Sequence, residues 1–169
     1  MKKIILYIAQ SLDGYVATKD GSVAWLDEFN KADYGYEKFI KNIDTAVQGN
    51  TTYEQFKYLY PGKKNYVFSE NAGTQSQKNV IFVKGNIKKF IDGLDKKTHK
   101  NIWLVGGPNL LSGFLNEGQV DEMIIFTMPV LLKEGIPLFS NIKKAPALTL
   151  KNIKKHDNGV VVLHYLIKK

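Results

Sequence analysis

The sequence contains no cysteine and no arginine; all 24 of its basic residues are lysine. Without thiols there is no disulfide scaffold, no thiolate metal site and no cysteine nucleophile. Without guanidinium groups there is no planar fork for bidentate capture of phosphate or carboxylate. Anions must then be met by flexible point-charge lysines or by backbone amides. No apolar run approaches the roughly 20 residues of a membrane span. The opening Met1-Lys2-Lys3 leads into a short apolar stretch that stops before Ser11 and Asp13, which predicts a first strand and not an export signal. A cytoplasmic location with no membrane partner is therefore expected. The three histidines, His99, His156 and His164, lie apart from any Asp/Glu cluster of metal-ligand spacing and read as structural or surface residues, so no metal is expected.

What is present is ordinary globular composition: 44% hydrophobic and 24% charged over 169 residues, the size of one domain spanning 1–169. The net charge is +8, but its lysine pairs are scattered along the chain, as at Lys63-Lys64, Lys88-Lys89 and Lys143-Lys144. With no nucleic-acid module beside that charge, a solvated basic surface is expected and no nucleic-acid partner.

Hydrophobic periodicity predicts a strand at Ile4 to Ala9, then a polar loop from Gln10 to Gly14 and a tight turn at Asp20-Gly21. Tyr36, Phe39, Ile40 and Ile43 share one helical face, with Asp33 at or near that helix's start. A brief strand at Thr45 to Gln48 precedes a helix at Thr52 to Leu59, which Pro61-Gly62 stops. Further strands are expected at Asn65 to Ser69, Val80 to Val83 and Ile102 to Val105, with helices at Ile87 to Leu94 and from Leu110 to Gly118. The pattern then changes. Met123 to Met128 is a strand, and Ala147 to Ile153 and Val160 to Ile167 flank the turn Asp157-Asn158-Gly159. A parallel β/α portion followed by an antiparallel C-terminal hairpin predicts an α/β fold with a mixed, twisted sheet and helices on both faces.

Three turns could carry chemistry. Gly106-Gly107-Pro108-Asn109 leaves an apolar strand and opens a helix, which suits either a tight turn or a close approach to phosphate at the helix N-terminus. Gly49-Asn50-Thr51-Thr52 does the same after an earlier strand, with Thr51 or Thr52 as a helix cap. Two such turns in one sheet suggest the two ends of a dinucleotide. In the third, Ser11 to Ala17, Asp13 either braces the loop through backbone amides or belongs to a loop that closes on a flat ring. Asp33 is the carboxylate best placed to face a cleft, or else an ordinary helix cap.

From end to end the chain resembles the dihydrofolate reductase-like superfamily, specifically small proteins related to the reductase domain of bacterial riboflavin biosynthesis. The segments that carry the resemblance are SLDGYVA (11–17), GNTTYE (49–54), YVFSEN (66–71), IWLVGGPNLL (102–111), VDEMII (120–125) and PVLLKEGIPLF (129–139). The resemblance implies a three-layer αβα fold with a mostly parallel sheet of about eight strands. It also implies a nicotinamide dinucleotide cofactor, NADPH in the family's usual pattern. Ala9, Gly14 and Val16 would lie at the nicotinamide end, Gly49, Asn50, Thr51, Ser69 and Glu70 at the adenosine end, and Gly106, Gly107, Pro108, Asn109 and Leu110 at the pyrophosphate. The bond between Gly106 and Gly107 would be cis. Asp33 would be the substrate-binding carboxylate and Thr127 its hydroxyl partner.

The departures matter. Asn50 and Glu70 stand where the family carries cations for the 2′-phosphate, so NADH becomes an alternative cofactor, with Lys84 a partial replacement. The function expected is a reductase delivering hydride to a small heteroaromatic or carbonyl substrate, related to 5-amino-6-(5-phosphoribosylamino)uracil reductase and dihydrofolate reductase. The alternative is a non-catalytic nucleotide-binding module on the same fold. A homodimer through the apolar C-terminal segment is left open.

Overall fold

The computed structural model describes residues 2–57, 59–71 and 79–168. Six strands run parallel: β1 (Lys3–Ser11), β3 (Thr45–Gly49), β4 (Lys64–Phe68), β5 (Ile81–Val83), β6 (Asn101–Gly106) and β7 (Glu122–Met128). With β9 (Leu148–Lys155) and β10 (Val161–Ile167), which pair antiparallel, they form an eight-stranded sheet in the order β5-β4-β3-β6-β1-β7-β10-β9. The chain forms β3 two places from β1, builds outward to β5, and returns with β6 to fill the gap. The C-terminal ends of β3, β6 and β1 therefore lie side by side where the winding reverses, the place where open α/β sheets leave a crevice.

The fully covered strands owe their positions to unbroken apolar sequence. Leu6, Val47, Val67, Ile102 and Leu104 are almost wholly inaccessible, as expected for parallel strands covered on both faces. On one face, Ile4, Leu6 and Ile125 join Leu111, Phe114 and Leu115 of α4 (Pro108–Asn116) and Ile91 of α3 (Ile87–Gly93) in the main core. On the other face, Ile5 and Trp103 pack with Phe39 and Ile40 of α1 (Tyr36–Lys41), and Tyr53 of α2 (Asn50–Phe56) packs on Val67 and Val80.

Two small elements escaped the periodicity argument. A 3-10 helix occupies Ala24–Phe29, and β2 (Tyr15–Ala17) pairs with β8 (Ile136–Pro137) in a two-stranded sheet beside the main one. Both are too short to show a period. Gly135 explains how β8 seats: a Cβ there would stand 2.3 Å from the Ala17 carbonyl oxygen, so only glycine lets the two backbones approach. Strand β1 also runs two residues further than the apolar run suggests, because Gln10 and Ser11 keep their ladder partners Thr127 and Met128 on β7. Among the described residues no helix is long and apolar enough to cross a membrane.

Candidate functional site

A groove of about 1080 Å³ crosses the C-terminal ends of β1, β3, β4 and β6. It brings together Ala9, Val16, Gly49, Asn50, Thr51, Ser69, Glu70, Gly106, Gly107, Pro108, Asn109 and Leu110, residues drawn from five separate stretches of sequence. The two glycine turns touch. The ladder sets Gln48 opposite Gly106, and a Cβ on Gly107 would lie 3.6 Å from Gly49 Cα. Gly107 is the N-cap of α4 with φ +95, a left-handed conformation that side chains resist. Pro108 follows at the first helical position, where its missing N–H costs nothing. The Asn109 and Leu110 amides in that first turn have no intrahelical acceptor and open on the groove, the arrangement that receives an anion.

The structure places two of the expected residues outside this lining and overturns the expected cap and cis bond. Gly14 does not line the groove; its φ is +87 and its carbonyl accepts from Leu138 N at 2.9 Å, so it shapes the loop that carries Val16. Lys84 is also outside the lining, with its ammonium 3.9 Å from the Glu70 carboxylate. Helix α2 begins at Asn50 with Gly49 as its N-cap, so Thr51 and Thr52 fall inside the first turn and neither caps it. The Gly106–Gly107 bond is trans.

A second cavity of about 540 Å³ adjoins the groove and shares Ile8, Ala9 and Leu26 with it. Asp33 lies in its wall. One carboxylate oxygen, Oδ1, accepts from the amides of Gly35 at 2.9 Å and Tyr36 at 2.7 Å, which fixes the group at the mouth of α1. Tyr7, Trp103, Phe126 and Tyr36 give the cavity aromatic walls, and Lys31 and Glu37 bring charge to its lining. Tyr7 stacks on Phe39 with ring centroids 4.0 Å apart, and Trp103 donates its Nε1–H to the Tyr7 carbonyl at 3.1 Å. Burial, then the nearby charge of Asp33, then Tyr36 hold the Tyr7 phenol well above its ordinary range, so it stays protonated.

Thr127 does not join Asp33. Successive side chains on a strand alternate between faces. Phe126 and Met128 point into the Asp33 cavity, which sends Thr127 to the opposite face, where its Oγ1 is 3.5 Å from Gln10 Nε2. Sequence reasoning missed Tyr7, Trp103 and Phe126. The signal was available for Tyr7, which sits two residues before Ala9 and therefore on the same face of β1.

The loop after β1 is braced as one of the two readings of Asp13 expected. Its carboxylate accepts from Ser11 Oγ at 2.6 Å and from the amides of Leu132 at 3.1 Å and Lys133 at 2.8 Å. The Ser11 hydroxyl first, and those two amides with it, hold the Asp13 carboxyl below the usual range. His99, as expected of a structural residue, is buried against Tyr66 and Thr98, and His164 binds Glu122 at the far end of the sheet. Among the described residues no group of carboxylates and histidines is disposed to hold a metal ion.

The groove fits a nicotinamide dinucleotide on its own terms. It offers apolar wall at Ala9 and Val16, free helix amides at its centre, and beyond them the Asn50 Oδ1 acceptor, buried with no partner among the described residues. The comparisons agree with this geometry. The profile of the RibD C-terminal domain matches residues 2–162. The uncharacterized protein YwjB of Bacillus subtilis (strain 168) is 39% identical over 98% of both chains. A protein of Shewanella sp. PV-4 named for riboflavin biosynthesis superposes with a TM-score of 0.86 at 28% identity, covering 99% of each chain. Dihydrofolate reductase from Enterococcus faecalis, solved with NADP(H), shares the fold at a TM-score of 0.69 and 14% identity, covering 99% of this chain and 97% of its own. With its glycine turns abutting at the sheet's reversal point and its whole length matched, this chain belongs to the RibD C-terminal domain family, on the fold of dihydrofolate reductase.

Proposed function

We propose that the protein is a nicotinamide-dinucleotide-dependent reductase whose substrate occupies the Asp33 cavity. The observation that carries this reading is the junction of the two cavities: the long groove and the Asp33 cavity share only Ile8, Ala9 and Leu26. A ring held in one lies against a ring held in the other. When bound, the dinucleotide supplies a hydride equivalent from its nicotinamide to a polarised C=N or C=O group. The chain supplies the rest. Gly106 to Leu110 would hold the pyrophosphate through backbone amides, Ala9 and Val16 would flank the nicotinamide, and Asn50, Thr51, Ser69 and Glu70 would hold the adenosine end. Asp33, with Oδ1 already held by two amides, keeps Oδ2 to orient an N–H of the substrate. Protonated Tyr7 beside it offers a hydrogen-bond donor to the reacting group. The aromatic walls favour a flat heteroaromatic or carbonyl compound.

The test is a fluorescence titration with NADH and NADPH, followed by a panel of cyclic imines and aromatic carbonyls with cofactor oxidation as readout. Micromolar binding of at least one dinucleotide and turnover of a panel member support the reading. Binding without turnover across the panel favours a nucleotide-binding module instead, and binding of neither dinucleotide removes both.

A further inference from the structure

Resting on the reading of the long groove as a dinucleotide site, we propose that it selects the unphosphorylated cofactor, NADH over NADPH. The first argument is charge. No lysine or histidine lines the groove among the described residues, and the chain has no arginine at all. Among the described residues, the only charged group in the lining is the carboxylate of Glu70, whose side chain is 93% exposed. Lys84 stands 3.9 Å from that carboxylate and outside the lining, so its charge answers Glu70. A 2′-phosphate brings up to two further negative charges to this end of the groove and finds an anion there.

The second argument is hydrogen-bond polarity, and it is independent of the first. Among the described residues, Asn50 Oδ1 is a buried acceptor with no hydrogen-bond partner. An unsatisfied buried acceptor is costly, and only a donor relieves it. A ribose hydroxyl donates; an ionised phosphate oxygen does not. Glu70 makes the same demand, since a carboxylate only accepts. The parallel ladder pairs Gly49 with Phe68, which sets Asn50 beside Ser69 and Glu70 at the ends of neighbouring strands. Glu70 and Asn50 thus stand together at one end of the groove, with the hydroxyls of Thr51 and Ser69 beside them to meet a ribose. The pyrophosphate needs no such cation, because the first-turn amides of α4 provide for it.

Calorimetric titration of the whole chain with NADH and NADPH, at low and at moderate salt, tests this, with 5′-AMP and adenosine 2′,5′-bisphosphate as probes of the adenosine end alone. NADH is expected to bind at least about tenfold more tightly, with the gap widening as salt is lowered, because repulsion is then less screened. The bisphosphate is expected to bind more weakly than 5′-AMP. Glu70→Lys, at an exposed position, is expected to reverse the order by raising NADPH affinity and lowering that of NADH. NADPH binding as tightly as NADH, or more so, overturns the selectivity and leaves the dinucleotide reading standing. If neither binds, the dinucleotide reading itself falls.

Discussion

Asp33 and Glu122 show two different uses of a carboxylate in this molecule. Asp33 has one oxygen fixed by backbone amides and the other facing an aromatic cavity, a disposition for orienting a ligand. Asp33→Asn is expected to keep dinucleotide affinity within about twofold and to lower turnover by about 10² to 10³, measured as kcat against a substrate found in the panel. Glu122 is buried at the opposite end of the sheet, 2.8 Å from Lys3 Nζ, 3.6 Å from Lys151 Nζ and 2.7 Å from His164 Nε2. Burial pushes its carboxyl upward, but the bonds from Lys3 and His164 and the two lysine charges outweigh that and leave it below the usual range. A carboxyl depressed on folding contributes stability that is present above its unfolded value and lost as pH falls through its folded value. Glu122→Gln is therefore expected to cost about 2 to 3 kcal/mol near neutral pH, less than a fully buried pair because both lysines are half exposed. In urea titrations the difference from the unaltered protein should shrink in acid. A difference that does not change with pH would assign the cost to packing.

At the scale of elements, two glycines decide how strands and helices meet around the groove. Gly107 must turn from β6 into α4 with φ +95, and a methyl group there meets only ordinary contacts, 3.5 Å from Thr52 Oγ1. Gly107→Ala is thus expected to lose roughly 1 to 2 kcal/mol through backbone conformation alone. Dinucleotide affinity should fall further than stability, because the amides that follow are re-aimed; thermal unfolding and calorimetry separate the two. Gly135 is the reverse case, where space decides. Its added methyl would overlap the Ala17 carbonyl at 2.3 Å, so Gly135→Ala is expected to part β2 from β8 and cost about 1 to 3 kcal/mol. Both strands contribute to the groove wall, at Val16 and Ile136, so the same change should weaken dinucleotide binding. A further link joins elements distant in sequence. Asn158, in the turn between β9 and β10, donates to the Tyr34 hydroxyl at 2.5 Å, and His156 meets the Tyr34 ring edge-on at 4.9 Å. The C-terminal hairpin therefore steadies the loop that carries Asp33.

For the molecule as a whole, the distribution of exposed apolar surface has one notable concentration. On β9 the side chains of Leu148, Leu150 and Ile153 are 43%, 50% and 58% exposed, and the ladder sets them opposite Ile167, Tyr165 and Leu163 of β10, all on one face. Every residue of β9 is exposed. Self-association through this edge is the expected outcome, with lysines 151, 154 and 155 limiting growth beyond a pair. Sedimentation at tens of micromolar should show a dimer that Leu150→Lys together with Ile153→Lys dissociates. A monomer in the unaltered protein removes the expectation.

The order of strands and helices, the antiparallel C-terminal hairpin and the two glycine turns were legible in the sequence, because each depends on local chemistry. Apolar period, turn residues and helix punctuation are properties of neighbouring positions. Even the doubt over NADPH was legible, since Asn50 and Glu70 are departures visible residue by residue. What only the tertiary structure decided depends on contacts between distant segments. It turned Thr127 away from Asp33, because the facing of a strand side chain is set by the register of β7 on β1. It set Lys84 beside Glu70 and placed Asp33 in one cavity wall with Tyr7, Trp103 and Phe126, three residues from three strands. Among the described residues it also left the groove lining without a cation and Asn50 Oδ1 without a partner, because both depend on which distant segments meet there.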